Sequence, residues 1–600
     1  MISIPQESNR SSEESDALLG GQGQGHDFTR SNNSIFSSIT AWSQSGRRRE
    51  SWRPLSWRPL ITSRHTLDLV VTVLVLLVIA CVISWVGGVE NNRNQGNALD
   101  RPARHAAFVR AMQILEDRIQ GHLVWPTDGI AFVNASHVWN QCFRDQPPAV
   151  VVEVANEADV QIIVPFLYDI QRNFSVPFRI RSGGHSYAGL STIAHGIILS
   201  LSGLNHLAFE TDDSDGKTAT VTVGPAVRSL DILKQIWLKR GYGSVLGLCP
   251  NVAEGGYTLG GGQGALTRSH GLAIDNLKAA RVVLANGQVV TASTTEHADL
   301  FWALRGAGQG NFGVVTELQY TYYPIKDEMV LIRGEIPLYL APQFLSDFGK
   351  LSTPREAGVV FTNTAMADVG VNGLPLTAQF YWNGNYTDQG MIFWNTTFHN
   401  LLPQDVTDSF DVGTISTYYV STQLIPRHEG LRVRAYNGFL YPGQNSADTW
   451  QYIITHLWNI CQQSAYAATY MEYWGGNSAF NDVAPNATAF YWREAVYNVR
   501  LEILMPAYLG SEEFESQLAL FESQWVFIEP YLTGTYANYP EVSLKHPSQR
   551  TYGKNLPRLQ QIKQKYDPRN MFHHPYSIPP LKGRKHTPET VGSMEIGYFP

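Results

Sequence analysis

The chain has 600 residues, of which 44% are hydrophobic and 16% are charged, and its formal net charge at pH 7 is -7. A single hydrophobic core rarely organises so long a chain, so two domains with appendages are expected. The negative charge gives no reason to expect nucleic-acid binding, and four cysteines are too few for a disulfide-rich scaffold.

The N-terminal region contains a polar tail followed by an apolar run. Residues 1–66 are rich in Ser, Gly, Asn and Gln and are predicted to be a disordered cytosolic tail. Residues 69–89 carry no charged side chain and would span a hydrocarbon core of ~30 Å as a helix. We therefore predict a transmembrane signal-anchor helix over 67–89. A cleaved signal peptide is the weaker alternative, because the preceding polar stretch and the apolar run are both too long for one.

The charges beside this run predict its orientation. Arginines cluster before it, whereas Glu90 and Arg93 flank its other end. The positive-inside rule then makes the chain a single-pass type II membrane protein whose catalytic part is lumenal or extracellular. In that compartment Cys142 and Cys461 could pair, although their spacing does not require it. A glycoprotein is also expected, and its candidate acceptors are Asn134, Asn173, Asn385, Asn395 and Asn486.

Residues 90–325 predict an α+β region behind a linker. Residues 90–129 end in a leading helix, because Phe108, Met112, Leu115 and Ile119 recur at helical spacing. From residue 130 to residue 325, short β-rich runs alternate with helical segments. The predicted strands are 149–154, 196–201, 278–284 and 289–290, the last two about the turn Asn286-Gly287, and the predicted helices are 157–172 and 229–239.

A predicted strand over 177–180 runs into Arg181-Ser182-Gly183-Gly184-His185. Paired glycines accept positive φ and let backbone N–H groups face a phosphate or a flat ring. The imidazole after them would point at the same ligand. A tight turn with an unrelated histidine is the alternative for this motif taken alone.

A second motif, Gly247-Leu248-Cys249-Pro250, precedes a glycine-rich stretch that ends at residue 264. Such glycine density indicates backbone wrapped closely around an anionic ligand. The stretch lacks the Gly-Lys-Ser/Thr ending of a triphosphate loop and the Rossmann spacing, so a nicotinamide-type dinucleotide fold is disfavoured.

Together with residues 299–317, Tyr552-Gly-Lys-Asn555 and residues 566–572, these motifs resemble the berberine bridge enzyme-like family of the vanillyl-alcohol oxidase superfamily. The resemblance covers roughly residues 130–580. It implies an α+β fold with a two-part FAD-binding domain of the PCMH type, formed by 130–325 and completed by 521–585. The aromatic-rich residues 326–520 would form an inserted antiparallel-sheet substrate domain, and 586–600 a tail.

The resemblance also implies covalent FAD, attached through His185 to the 8α-methyl group and through Cys249 to C6. A thiolate is the nucleophile in such chemistry. Where the family usually has His, this chain has Tyr257, whose phenol is expected to donate a hydrogen bond near the pyrimidine edge without becoming cationic. The other predicted cofactor-binding residues are Arg181, Ser182, Gly183, Gly184, Ser186, Gly260, Gly261, Gly262, Gly264 and Asn555.

An oxidase also needs a base near the substrate. Tyr539 is the first candidate, because Tyr536-Ala-Asn-Tyr539 resembles the segment whose last tyrosine is the base in carbohydrate-oxidising members. By loose resemblance Glu472 is its acidic partner, or else a solvated surface glutamate. Glu502 is a rival base on a predicted strand that begins at 491, or else half of an exposed Arg–Glu pair.

The sequence thus predicts an FAD-dependent oxidase of an alcohol, sugar or secondary metabolite, which passes electrons to O2 and releases hydrogen peroxide. No metal site is predicted. The alternatives are a dehydrogenase that uses another acceptor and a catalytically retired, membrane-anchored surface protein on the same fold. The presence of His185 and Cys249 favours the enzyme.

Overall fold

The computed structural model describes residues 101–211, 217–326, 328–364, 375–382, 389–416 and 430–581. The predicted tails 1–66 and 586–600, the predicted span 67–89 and the sequon at Asn385 lie outside the described residues. Within the described ranges, every helix is too short or too polar to cross a bilayer.

The first sheet is small and mostly parallel. Its three parallel strands are covered by a helix that begins at the N-cap Asn156, whose side chain accepts from the Asp159 N–H, and that ends at Ser175 in the left-handed conformation. The predicted leading helix packs here through Phe108 and Met112. The strands are β1 (His122–Val124), β2 (Val150–Glu153), β3 (Phe178–Arg181) and β4 (Ile197–Ser200), in the order β1-β2-β4-β3, and the helices are α1 (Arg101–Glu116), α2 (Ile130–Ser136) and α3 (Glu157–Phe174).

The second sheet is antiparallel and follows directly in the chain. Gly287 has a φ of 82° in the hairpin turn that the sequence predicts. The strands are β5 (Leu207–Thr211), β6 (Ala219–Val223), β7 (Tyr242–Gly243), β8 (Leu277–Val283), β9 (Val289–Ser293) and β10 (Val314–Pro324), in the order β5-β6-β10-β8-β9 with β7 beside β10. The helices are α4 (Ser229–Ile232), a π turn (Leu233–Trp237), α5 (Leu238–Arg240), α6 (Glu254–Leu259), α7 (Thr267–His270) and α8 (Ala298–Ala307).

The third sheet is antiparallel and belongs to the aromatic-rich region. Its strand β17 begins at Tyr497, so the predicted start at 491 is wrong: Arg493 lies in the preceding loop, fully buried, with Nη1 2.7 Å from the Asp275 carboxylate. The strands are β11 (Glu328–Ile336), β12 (Ala357–Thr364), β13 (Leu376–Trp382), β14 (Asp411–Ser416), β15 (Leu431–Leu440), β16 (Ala467–Tyr473) and β17 (Tyr497–Pro506), in the order β14-β11-β13-β12-β16-β17-β15. The helices are α9 (Ala341–Phe348), α10 (Gln389–Leu401), α11 (Gln404–Thr407), α12 (Ala447–Gln463) and α13 (Ser511–Ile528).

Strands β16 and β17 are buried on both faces. Val499, Leu501 and Ile503 pack into the core that the helices cover. Because side chains alternate along a strand, Arg500 and Glu502 point the opposite way, and both are also buried. The inner face of this sheet is therefore polar and dry.

The C-terminal segment returns to the first two sheets. It contains α14 (Pro547–Tyr552) and α15 (Leu556–Tyr566). The buried ammonium of Lys563 donates to the Asn311 carbonyl at 2.6 Å and to the Asp567 carboxylate at 2.7 Å. These bonds fix the last described residues beside the cavity that is described below.

The expected disulfide between Cys142 and Cys461 does not form. The Cys142 thiol donates to the Val433 carbonyl at 3.7 Å, whereas Cys461 is buried in the core as part of α12. Both cysteines are therefore free thiols in this structure.

Candidate active site and cofactor cavity

A large cavity lies where the three sheets and the C-terminal segment meet. Its empty volume is about 1610 Å³, including the part that opens to solvent. Its walls come from residues within 178–191, 247–259, 308–315, 536–540 and 572–574, together with Leu201, Pro225, Gln263 and Arg500. The cavity therefore joins both predicted attachment motifs to the inner face of the third sheet.

The loop after β3 forms one wall. Gly184 has a φ of 74°, a conformation that L side chains rarely adopt. A Cβ on Gly183 would lie 2.8 Å from the Cβ of Ala253, so a glycine is needed where this loop meets the segment after Cys249. The two motifs are thus in contact across the cavity wall.

His185 projects into the cavity and stacks on Trp139. The ring centroids are 5.4 Å apart and the planes 21° apart. Burial, with smaller contributions from Arg228 and His137, lowers the pKa of His185 to about 4. The imidazole is therefore neutral at physiological pH, with a lone pair on one ring nitrogen.

Cys249 is half-buried on the same cavity. Its loop is held by two backbone bonds, from the Val252 N–H to the Cys249 carbonyl at 3.2 Å and from the Leu230 N–H to the Pro250 carbonyl at 2.9 Å. The structure thus brings the predicted pair His185 and Cys249 to one cavity.

The glycine-rich stretch divides into two parts with different roles. Gly255 and Gly256 line the cavity, and a Cβ on Gly256 would meet open space. The predicted cofactor contacts Gly260, Gly261, Gly262 and Gly264 do not line it. They permit close chain packing instead, because a Cβ on Gly264 would overlap the Leu246 carbonyl and one on Gly262 would lie 2.9 Å from the Tyr257 ring.

Tyr257 lines the cavity with its ring, but its hydroxyl is used elsewhere. The phenol oxygen lies 3.1 Å from the Gln263 carbonyl and 3.3 Å from the Val245 carbonyl. A phenol has one proton, and both of these acceptors are backbone atoms. The Tyr257 proton therefore has backbone acceptors in this arrangement, and the expected hydrogen bond to a flavin edge stays a prediction.

Ser182 and Ser186 line the cavity, whereas two other predicted residues lie outside it. The Arg181 guanidinium is turned away and donates to the carbonyls of Ala135 and His137. The Asn555 amide donates to backbone carbonyls in the loop before β17, including Pro485 at 2.8 Å. Arg181 and Asn555 therefore support the walls and do not contact the cavity.

Tyr539 lines the cavity, and a glutamine links it to Glu472. The Gln263 amide nitrogen donates to the Tyr539 phenol oxygen at 2.8 Å and to the Glu472 carboxylate at 3.0 Å. Glu472 is only 6% exposed, so the alternative of a solvated surface glutamate is wrong. The predicted partner of Tyr539 is near it, but through an intervening amide.

Arg500 organises the same face. Its guanidinium carbon lies 4.1 Å from the centroid of the Tyr539 ring. Its Nε lies 3.2 Å from the Glu502 carboxylate, and its Nη2 lies 3.5 Å from the Glu472 carboxylate. Glu502 is 1% exposed, so the exposed Arg–Glu pair is also wrong. Neither carboxylate lines the cavity, whereas Arg500 does.

Electrostatics act on Tyr539 in both directions. Burial raises the pKa of Tyr539 well above its usual range, and the carboxylates of Glu472 and Glu502 add to this rise. The Arg500 cation and the Gln263 donor lower it. Burial likewise raises the pKa of Glu472, although Arg500 opposes that rise. Tyr539 is therefore protonated before the reaction. The Arg500 cation over its ring would stabilise the phenolate when the proton leaves.

Residues that the sequence did not single out include Asn538, which lines the cavity, and Trp139, which stacks on His185. The Asn538 amide donates to the Tyr257 carbonyl and the Tyr536 hydroxyl, both at 2.9 Å, and accepts from Gln309 at 2.6 Å. Asn538 lies within Tyr536-Ala-Asn-Tyr539, so this motif could have indicated that Asn538 belongs to the site. Trp139 stands outside every motif, and nothing along the chain indicates its contact with His185.

The cavity fits a flavin dinucleotide on three observations. Gly256 leaves space beside a bare backbone, and the Ser191 hydroxyl is buried in the wall with no hydrogen-bond partner among the described residues. Such an unpaired polar atom indicates a missing ligand or water. The third observation is the chemistry of a neutral imidazole and a thiol on one cavity.

Comparisons with known proteins agree with this geometry. Residues 148–293 match an FAD binding domain family, and residues 535–579 match the berberine and berberine-like family. Both matched stretches contribute walls of the cavity.

Relatives that match more than three quarters of this chain are redox enzymes by name. The chain is 30% identical over 506 residues to the FAD-linked oxidoreductase fogF of Aspergillus ruber, covering 78% of this chain and 94% of that protein. It is 27% identical over 494 residues to chitooligosaccharide oxidase of Gibberella zeae, covering 77% and 92%. Among solved structures, xylooligosaccharide oxidase from Myceliophthora thermophila C1 in complex with xylobiose has a TM-score of 0.66 at 22% identity, over 79% of this chain and 100% of that one.

Proposed function

Because this chain belongs to the berberine bridge enzyme-like family of FAD-linked oxidoreductases, we propose that it oxidises a hydroxyl-bearing carbon of a sugar or sugar-like molecule. Family membership confirms the predicted PCMH-type α+β fold, FAD as cofactor and an enzymatic redox function. One observation carries the proposal: Tyr539, with Arg500 over its ring and Gln263 on its oxygen, shares a cavity with His185 and Cys249.

His185 and Cys249 would hold the cofactor covalently, through its 8α-methyl group and its C6 position. The neutral imidazole supports this, because a ring nitrogen with a free lone pair can form a bond to carbon. The stacked Trp139 ring keeps the imidazole aimed at the cavity. When bound, FAD supplies hydride acceptance from the substrate carbon and transfer of two electrons to O2, so an alcohol and O2 become a carbonyl compound and hydrogen peroxide.

Tyr539 would take the hydroxyl proton of the substrate. Its oxygen already accepts from Gln263, so its remaining lone pair is available to the cavity once the phenol is ionised. The Arg500 cation favours that ionised form, whereas burial and the two glutamates oppose it. Since only the phenolate accepts a proton, the rate of substrate oxidation should rise with pH.

Glu472 and Glu502 would act through Arg500 and Gln263 and not on the substrate. Both carboxylates are buried behind the cavity wall, and each is within 3.5 Å of the Arg500 guanidinium. We therefore assign proton transfer to Tyr539 alone and a positioning role to Glu472 and Glu502.

A sugar or glycoside is the favoured substrate class. Relatives named for chitooligosaccharides and xylooligosaccharides cover most of this chain, and the cavity is open to solvent at one side. Arg500, Gln263 and the Tyr539 hydroxyl line the cavity and offer polar groups that suit substrate hydroxyls more than a hydrocarbon.

The catalytic part would lie in the lumen or outside the cell, held by the span predicted at 67–89. In support, all four described sequons are exposed: Asn134, Asn173, Asn395 and Asn486. Glycosidase treatment of the full chain should lower its apparent mass. Protease added to sealed vesicles should remove only the short cytosolic tail if the catalytic part is lumenal, and protease added to intact cells should digest the catalytic part if it is extracellular. No mass change, or complete digestion from the cytosolic side, would contradict this topology.

The test of the function is a visible spectrum of the purified protein before and after acid precipitation. Flavin colour that stays in the pellet is expected, as is loss of one linkage in each of His185→Ala and Cys249→Ala. A sugar panel that includes xylobiose is then screened for anaerobic bleaching and for peroxide release in air. Bleaching without peroxide would indicate the alternative, a dehydrogenase with another acceptor. Tyr539→Phe should keep the colour and lose the bleaching.

A further inference from the structure

The Gln263 side chain lies between Tyr539 and Glu472, which the sequence analysis predicts to be direct partners. Its amide nitrogen is 2.8 Å from the Tyr539 phenol oxygen and 3.0 Å from Glu472 Oε1. Gln263 is 9% exposed and lines the cavity. We propose that Gln263 is a positioning residue that readies Tyr539 to accept the substrate proton, and that Glu472 acts on Tyr539 only by holding this amide. The inference rests on the proposed function, in which Tyr539 is the base.

The direction of the hydrogen bonds carries the argument. An amide nitrogen has two N–H donors and no acceptor, so both contacts run outward from Gln263. Tyr539 oxygen is therefore an acceptor towards Gln263, and its own O–H points elsewhere. When the proton leaves, the same N–H becomes a charge-assisted bond to the phenolate, which is stronger than its bond to the neutral phenol.

Glu472 fixes the orientation of the amide. With the amide reversed, the Gln263 oxygen would face the Glu472 carboxylate, and no proton would lie between the two oxygens. An amide nitrogen accepts no proton, so Glu472 cannot exchange one with Tyr539 along this path. The carboxylate is thus an anchor, and replacing it by an uncharged acceptor should be tolerated better than removing the amide.

The backbone around Gln263 is shaped to aim this side chain. Gly262 has a φ of 74°, and Gly264 packs directly against the Leu246 carbonyl. The Gln263 carbonyl also accepts from the Tyr257 hydroxyl at 3.1 Å. The glycines in the second half of the stretch do not line the cavity, but they have a role, because they hold Gln263 in place.

Other ionisable groups also face Tyr539, and each enters the expected pH dependence. Arg500 favours the phenolate, and in its absence the buried carboxylates would suppress it. Removing the Gln263 donor leaves Arg500 in place, so the phenolate should still form, but at higher pH. The groups facing Tyr539 from all packed elements are Arg500, Glu472, Glu502, Tyr187, Tyr257, Tyr470 and Tyr536.

The experiment measures anaerobic flavin reduction of the holoenzyme over pH 6–10, with the sugar from the panel that reduces the wild type fastest. Gln263→Met keeps length and volume but has no donor. It should keep covalent flavin and KM and reduce flavin about ten-fold more slowly throughout this range, so that its rate–pH profile is displaced by about one unit to higher pH. Gln263→Glu places an acceptor against the phenolate and should be slower still.

A second glutamine on the same cavity provides the matched control. Gln309 donates to the Gly256 carbonyl and to Asn538, not to Tyr539, so Gln309→Met should leave the rate–pH profile in place even if flavin content falls. Wild-type rate and profile in Gln263→Met would overturn the inference. If Tyr539→Phe reduces normally, or if no sugar bleaches the wild type, the proposed function fails first and the role of Gln263 fails with it.

Discussion

The guanidinium carbon of Arg500 lies 4.1 Å from the ring centroid of Tyr539, and the same guanidinium lies 4.2 Å from the ring centroid of Tyr470. One cation is therefore held between two aromatic faces, with Glu472 and Glu502 at its edges. The carboxylates raise the pKa of Arg500 well above its ordinary value, although burial opposes this. Arg500 is thus a permanent charge at the centre of the site.

Replacing Arg500 should damage both stability and chemistry. Arg500→Met leaves two buried carboxylates without their cation and should cost about 3–5 kcal/mol of unfolding free energy. It also removes the charge that favours the Tyr539 phenolate, so flavin reduction should slow more than in Gln263→Met. Denaturant unfolding and anaerobic reduction measure the two effects. Arg500→Lys should recover part of both, and equal stability of the Met variant and the wild type would contradict the assignment.

Trp139 should control attachment of flavin to His185. Its ring stacks on the imidazole with a 21° tilt, and its backbone N–H, which every variant retains, donates to the Gly184 carbonyl at 3.1 Å. In a Cys249→Ala background, which leaves one linkage, Trp139→Ala should lower the fraction of flavin that precipitates with protein. Trp139→Phe keeps an aromatic face and should retain most of it. Equal pellet colour in the two variants would remove the role given to stacking.

Glu254 should make the protein less stable as pH rises. Burial raises the pKa of Glu254 to about 8, while Ser229 and Thr258 oppose this by hydrogen bonding. Between pH 4.5 and 8 the folded state keeps a proton that the unfolded state has lost, so stability falls as pH increases. Glu254→Gln mimics the neutral form and should be more stable than wild type at pH 7, by at most about 3 kcal/mol. Thermal melts at pH 5 and pH 7 compare the two proteins, which should differ little at pH 5.

His574 should make the protein less stable in acid. Its Nε2 lies 2.8 Å from the Gln309 carbonyl, its Nδ1 accepts from the Tyr576 N–H, and burial lowers its pKa to about 3. Below pH 6.5 the imidazole is protonated in the unfolded state but stays neutral in the folded state, so the free energy of unfolding falls as pH decreases. His574→Gln should lose less stability between pH 6.5 and 4.5, by about 3 kcal/mol or less. Parallel acid-side slopes for variant and wild type in denaturant titrations would show that another group carries the effect.

Local elements of the fold could be predicted because they depend on neighbours along the chain. The apolar spacing in α3 and the Asn286-Gly287 turn between β8 and β9 each specify their own geometry. The glycine-rich stretch shows where such reasoning stops. Glycine density indicates that the backbone packs closely against a ligand or another segment. For Gly260 and Gly264 the neighbour is another segment of this chain and not a ligand.

By itself, the sequence determined the two motifs that carry His185 and Cys249 and the family to which the chain belongs, and it suggested Tyr539 as the base. Only the tertiary structure decided that Gln263, and not Glu472, touches Tyr539, because these contacts join residues 209 and 276 positions apart. It also decided that Arg500 and Glu502 are buried. An alternating polar face has the same pattern whether it meets water or the dry inner wall of an active site, so only packing against the other sheets could distinguish the two.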